Sequence, residues 1–397
     1  MNPRLHRRLT PLYIAAFLQA FNLWYAVEKL FMQRIGFDEA TIALAITLFT
    51  IVTLLVETPS GILADRWSRK GVLVLASCAL IICSLACGLS DSVPMYTVSL
   101  LFIGIYFALY SGTYEAIVYD TLVEETGKGT GFEHYYGKLQ MISGVALVSG
   151  SLLSGTISHF FGLQVVYFLT IPFTLLSIVA LIKFREPRLH KARVAVSFHR
   201  QIRATFKTVS QVGSVRWLVL AMILLTVGTS LLFEFNQLWY IALAFPVIIL
   251  GFSNALVQSC IGIGGYIASK IRQTPLAISG IGSILLGSAF LLTIPISGLV
   301  VTGQVILQSC LIALTIIVAK RLHDTIPSTN RAGVISAVST LSKLSFAPIA
   351  LAFGLVSRET TIFQAGWIVV GLVVLLLPLL YKIFGIALYQ LHENFAK

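Results

Sequence analysis

The feature that most limits what this chain can fold into is the length of its apolar runs. Hydrophobic residues arrive in blocks of about 20, such as Leu12 to Val27, Thr41 to Val56 and Ala365 to Leu380, which suits a helix spanning about 30 Å of hydrocarbon. A soluble helical protein would show shorter stripes, each backed by a polar face. Only 11% of the 397 residues are charged, against about 25% in soluble chains, so water is not the main solvent. The basic start, Arg4, Arg7 and Arg8, has the charge of a secretory signal. The apolar stretch behind it is too long for one, carries Gln19 and Asn22, and lacks a small-residue cleavage site, so it is expected to be a retained first helix.

Hydropathy, interrupted at Gly, Pro and charge, gives twelve spans near 11–31, 40–60, 71–90, 94–122, 138–159, 163–183, 216–238, 246–268, 275–293, 299–319, 332–355 and 363–386. An even number puts both termini on one side. Of the 28 Lys and Arg, 24 fall on that side, nine of them between Lys183 and Arg216. Only Lys29, Arg34 and Arg358 fall on the other, and Lys343 lies inside span eleven. The positive-inside rule therefore makes both termini and the central linker cytoplasmic. The net charge of +12 follows from this topology, and no nucleic-acid partner is expected.

The segment 186–215 is the one sizeable hydrophilic stretch and divides the chain into bundles at 1–185 and 216–397. Within it Phe198, Ile202, Phe206 and Val209 recur at helical spacing opposite Arg200, Arg203 and Lys207, the pattern of an interfacial amphipathic helix or of a basic tether. The five cysteines, Cys78, Cys83, Cys87, Cys260 and Cys310, all fall in spans without metal-ligand spacing and are expected to be buried free thiols. The absence of any Asn-x-Ser/Thr site is compatible with a bacterial origin.

The most informative stretch follows span two: Glu57-Thr-Pro-Ser-Gly61-Ile-Leu-Ala-Asp65-Arg66-Trp-Ser-Arg69-Lys70. Gly61 is expected to let the helix end approach a neighbour, and the basic cluster to hold the turn in the cytoplasm. A fainter copy, Gly265-Tyr-Ile-Ala268-Ser269-Lys270, follows the second span of the other half, with Ser269 in place of the acid. Such a repeat is what two parallel six-helix halves predict. In span four stand Ser111-Gly112-Thr113-Tyr114-Glu115-Ala116 and Tyr119-Asp120-Thr121-Leu122, and span eleven opens on Asn330-Arg331-Ala332-Gly333-Val334-Ile335-Ser336.

The loop after span two resembles the signature G-x-x-x-D-[RK]-x-[GS]-[RK]-[RK] of the major facilitator superfamily, and spans four and eleven resemble its bacterial drug-efflux permeases. The resemblance implies an all-α membrane protein with twelve transmembrane helices in two pseudo-symmetric six-helix bundles, working by alternating access. It implies that Gly61, Asp65, Arg66, Arg69 and Asp120 form a conformational latch of the outward-open state. It also implies that spans one, four, seven and ten line a central cavity. One departure is that Gly144 to Gly155 has no proline, whereas antiporters of the superfamily often carry a Gly-Pro-rich signature there. The stripe Ala146, Gly150, Ser154 and Ser158 remains and suits close helix packing.

Ionisable groups inside spans are costly, which makes each a functional candidate. At about 1.5 Å per residue, Glu115 lies about 10 Å from the inner end of its span and Lys343 about 18 Å, with Glu28 and Glu234 near the outer boundary, where water can reach them. Glu115 is the leading proton carrier, since a carboxyl withdrawn from water holds a proton more readily; a structural ion pair with Lys343 is the alternative. Glu57, near the inner end, is expected to pair with the basic loop. Tyr106, Tyr110 and Tyr114 form one stripe ending beside Glu115, as a site for a lipophilic cation or simply as packed rings. Gln19, Asn22, Ser230, Gln237, Gln304 and Gln308 add polar groups at matching depths, as cavity lining or as interhelical glue. Trp24, Tyr25, Trp239 and Tyr240 are expected to anchor at the outer membrane interface.

No nucleotide-binding loop, metal cluster or nucleophilic triad is visible. The expectation is a transporter and not an enzyme, with no cofactor, driven by the proton gradient, acting as a monomer on a small molecule in the bacterial cytoplasmic membrane. Proton-coupled efflux of a small amphipathic or cationic compound leads. Import of a nutrient, lipid flipping and a non-transporting sensor stay as alternatives, because fold does not fix function.

Overall fold

The computed structural model describes residues 3–129, 131–187, 213–271, 274–326 and 328–395. The amphipathic segment expected around Phe198 and Arg200 lies outside the described residues. Among those described, every regular element is an α-helix. In chain order they are α1 (Pro3–Ala20), α2 (Glu28–Arg34), α3 (Glu39–Arg66), α4 (Arg69–Leu89), α5 (Val93–Tyr110), α6 (Thr113–Thr126), α7 (Phe132–Phe161) and α8 (Val165–Lys183). They continue as α9 (Gly213–Ala242), α10 (Val247–Lys270), α11 (Pro275–Leu291), α12 (Ser297–Thr325), α13 (Ser328–Glu359) and α14 (Ile362–Phe395). These make twelve spans, because α1 with α2 and α5 with α6 are each one expected span broken in two.

Both breaks are places where the backbone leaves the helix and finds other partners, as a buried chain must. At Phe21–Val27, the Leu23 N–H donates to Thr170 Oγ1 of α8 (3.2 Å) and the Trp24 N–H to the side chain of Asn22 (3.2 Å). An asparagine taking the N–H two residues on is a turn-maker, and here it stops α1. The second break falls at Ser111–Gly112, where Gly112 has φ +68°. A Cβ there would meet nothing within 4 Å, so the glycine is required by conformation and not by space. Elsewhere the ends are capped: Asp38 and Thr41 form a capping box on α3, Ser68 takes the Gly71 N–H of α4 (2.8 Å), and Thr274 caps α11.

The helices gather into two compact units, residues 1–195 with 245–258, and residues 196–244 with 259–397. In the first unit α1 packs on α7 and α8, and α4 on α5 and α8; in the second α9 packs on α13 and α14, and α11 on α12 and α14. Counted as spans, these are the same pairs in each half. The repeat read from Gly61 and Gly265 thus has its counterpart in the packing.

The indoles of Trp24 and Trp239 correct the expected interfacial belt. They are 1% and 0% exposed, and each donates its N–H inside its own unit, Trp24 to Ser84 Oγ (3.1 Å) and Trp239 to the Leu292 carbonyl (3.0 Å). Trp24 also stacks on Tyr167, with centroids 5.3 Å apart, and Tyr240 is buried with its hydroxyl donating to Gln304 Oε1. An indole satisfied by protein gains more from burial than from the interface. The cysteines are free, and all are buried except the half-buried Cys78.

Candidate functional site

The loop after α3 builds its site from a short turn. Trp67 ends α3 and Ser68 caps α4, so Asp65 and Arg69 stand one helical turn apart across the junction. Arg69 donates to Asp65 Oδ1 (3.2 Å) and, through its other terminal nitrogen, to Asp120 Oδ2. Asp120 reaches it because the break at Gly112 starts a new helix, α6, in the middle of span four. The Arg69 and Asp120 side chains are 15% and 19% exposed and Asp65 46%, so the Asp120 arm is the better shielded and the stronger of the two. The expected latch residues Asp65, Arg69 and Asp120 are therefore together in one unit, while Arg66 is exposed. Gly61 is also exposed, and a Cβ on it would meet nothing within 4 Å. Among the described residues nothing makes the close approach expected at Gly61, and a Cβ on the half-buried Gly265 of the copy would likewise meet nothing within 4 Å.

Around this core lies a polar network that the sequence did not disclose. Glu186 accepts from Ser68 Oγ (2.6 Å) and from the Lys70 N–H (3.1 Å), which sets a carboxylate on the N-terminus of α4. Lys70 donates to the Phe184 carbonyl (3.3 Å). Arg8 of α1 bonds to Glu124 (3.1 Å) and Glu125 (2.5 Å) of α6 and to the Arg185 carbonyl (3.3 Å). Only the charges themselves were legible, since Arg8 and Glu125 are 117 residues apart. Glu57, expected to pair with the basic loop, accepts from Ser111 Oγ (3.2 Å) at the break in span four.

Higher in the same unit the tyrosine stripe is real as geometry. Tyr106, Tyr110 and Tyr114 run ring against ring, with centroids 5.5 and 5.0 Å apart. Their exposure sorts them: Tyr106 and Tyr114 are buried and Tyr110 half-buried. Tyr114 donates to Gln19 Oε1 (2.7 Å), while Gln19 donates to Ser77 Oγ (2.6 Å), itself 3.0 Å from Ser177 Oγ. Gln19 and Tyr114 thus belong to a hydrogen-bonded knot joining spans one, three, four and six, as interhelical glue would. Glu115 is exposed in the first turn of α6, and its charge reaches Tyr136 of α7.

Glu28 is a second correction. Expected near the outer boundary within reach of water, it is 4% exposed and pairs with Lys29 (2.7 Å), itself 1% exposed. The pair sits in the neighbourhood of Tyr96 and Tyr167, whose hydroxyls are 2.8 Å apart. Asn22 is half-buried and spends its carbonyl on the break in span one.

In the second unit, Glu234, Ser230 and Lys343 are half-buried, and Gln237, Gln304 and Gln308 are buried. Gln304 donates to the Asn236 carbonyl (3.3 Å), and Gln308 Nε2 lies 3.5 Å from the Thr229 carbonyl. Gln304 joins spans seven and ten as interhelical glue. The side chain of Arg331 lies outside the described residues. Among the described residues no cluster of His, Cys, Asp or Glu is arranged to hold a metal.

A sequence profile described as Major Facilitator Superfamily matches residues 9–350. No curated protein matches by sequence. Among solved structures, the nucleoside transporter NupG superposes with a TM-score of 0.75 at 13% identity, over 97% of this chain and 99% of that one. A bacterial homolog of the human lysosomal transporter Spinster, in an inward-facing and unoccupied conformation, gives 0.76 at 14% identity, over 97% of this chain and 98% of that one. At such identities the likeness is one of fold.

Proposed function

Because the chain belongs to the major facilitator superfamily, we propose that it is a secondary active transporter cycling by alternating access and coupling proton entry to the efflux of a small amphipathic or cationic compound. The observation that carries the reading is Arg69 held between Asp65 and Asp120. An ion pair made in one conformation and lost in another biases their populations by its differential energy, which is what a latch is. Glu115 has the second role. It is a carboxylate on a helix joined directly to an apolar span, exposed and not withdrawn from water as the sequence led us to expect, with the half-buried Tyr110 ring on the same stripe to offer an aromatic face to a cation. The excess of basic residues on one side supports a cytoplasmic location for both termini.

Purified protein in proteoliposomes with an imposed pH gradient, tested against lipophilic cations, amino acids and sugars, decides the matter. Gradient-driven movement of a lipophilic cation is expected, lost in Glu115→Gln while substrate binding and downhill exchange persist. Gradient-driven movement of a sugar or amino acid alone would replace efflux of a cation with nutrient transport. Undiminished uphill transport in Glu115→Gln would remove that residue from the coupling step.

A further inference from the structure

A cavity of about 420 Å³ opens between α1 and α7 within the first unit, a size that suits a small organic molecule. One face of α1 supplies His6, Thr10, Tyr13 and Phe17, and α7 supplies Lys138 and Ile142 one turn apart. Two of the polar groups are already engaged: Thr10 donates to the His6 carbonyl (2.8 Å) and Tyr13 to the Tyr135 carbonyl (3.2 Å). Two are not. The Lys138 ammonium stands 5.4 Å from the centre of the Tyr13 ring and has no carboxylate partner among the described residues, although it is half-buried on a spanning helix. His6 Nδ1 is buried with no hydrogen-bond partner among the described residues, and its ring centroid lies 6.5 Å from that of Tyr13.

No acid lines this cavity. An ammonium over an aromatic face, with no carboxylate partner among the described residues, has donor capacity that an acceptor carrying negative charge answers, and the His6 imidazole on the same wall can donate or accept according to its tautomer. The remaining wall is apolar, with Ile14, Phe17 and Ile142 leading away from the charged end. We infer that this cavity is a binding site for an amphiphile with a phosphate or carboxylate head, the head on Lys138 and His6 and the hydrocarbon along α1. It rests on no assumption about transport, because binding is measured without a gradient.

The same chemistry is offered by a free solute and by an anionic lipid, and one experiment distinguishes them. The intact protein in nanodiscs of phosphatidylcholine alone is titrated calorimetrically with hexyl phosphate, hexanoate and hexyltrimethylammonium. The two anions should bind saturably and the cation should not. Lys138→Gln should weaken anion binding by about tenfold or more, the size of a lost charged hydrogen bond. Lys138→Arg should retain most of it, and His6→Gln should lose a smaller part. In nanodiscs containing phosphatidylglycerol, loss of hexyl phosphate binding identifies the lipid headgroup as occupant, and unchanged binding identifies a free solute. Equal binding of the cation, no saturable binding of either anion, or full affinity in a Lys138→Gln protein that elutes as the wild type would overturn the site. Were Lys138→Gln to misfold, His6→Gln and Lys138→Arg carry the test.

Discussion

At the scale of single residues, Arg69 and Lys29 show two different uses of an ion pair. Arg69 is shared between an acid on its own loop and an acid on α6, both reachable by water. If the Arg69–Asp120 arm is a real coupling, thermal unfolding of Arg69→Ala, Asp120→Asn and the double variant should give an interaction energy on the order of 1–3 kcal/mol. Purely additive losses would mean that the two charges are mere neighbours. Lys29 is sealed with Glu28, so Lys29→Met strands a carboxylate in protein and should cost on the order of 3–5 kcal/mol, whereas Glu28→Gln combined with Lys29→Met should recover much of it. A single variant as stable as the wild type would show that water reaches the pair. The sequence disclosed the first through a specific motif, although Asp120 lies 51 residues from Arg69. It hid the second, since depth along a helix says how far a residue is from an end and nothing about what covers it.

At the scale of elements, glycine shows why position outranks type. A Cβ on Gly155 of α7 would lie 2.8 Å from the carbonyl oxygens of Val247 and Ile248, and one on Gly251 of α10 would lie 2.6 Å from the Ser151 carbonyl. The two backbones cross there, and Asn254 donates to Ser151 Oγ (3.0 Å) beside the crossing. Gly155→Ala should therefore lower the melting temperature and yield. Gly61→Ala, with open space and a helical backbone, should leave stability unchanged or raise it by up to about 1 kcal/mol. The reverse order, read in the same melting assay, would refute this assignment of the packing glycines. Hydropathy found the twelve spans because each is a continuous run. It missed the breaks at Phe21–Val27 and Ser111–Gly112, where apolar residues run on past the point at which the backbone changes partner. It also misassigned Trp24 and Trp239, because an indole at a span end satisfies the same pattern whether it faces lipid headgroups or a serine in the core.

At the scale of the whole molecule, the distribution of basic residues is a statement about orientation. Single cysteines at Arg200 and Arg358, with the five native cysteines replaced, should react differently in intact cells: an impermeant maleimide should label Arg358→Cys and spare Arg200→Cys. Labelling of both, or of Arg200→Cys alone, would reverse the topology. The family was legible from one loop and its faint echo. The Arg8, Glu124, Glu125 and Glu186 network was not, because its members come from distant places in the chain and carry no common motif.

The first compact unit is not a continuous piece of chain, since residues 245–258 complete it. Nascent chain that has passed residue 195 still lacks the strip of α10 that covers Ser151 and Gly155, and that strip arrives only after another whole span has been made. Biosynthesis of the first half therefore finishes out of order, with its last brick supplied from the second. A gene cut in the basic linker would encode two pieces, the first ending in an unfilled groove on α7 and the second holding the segment that fills it.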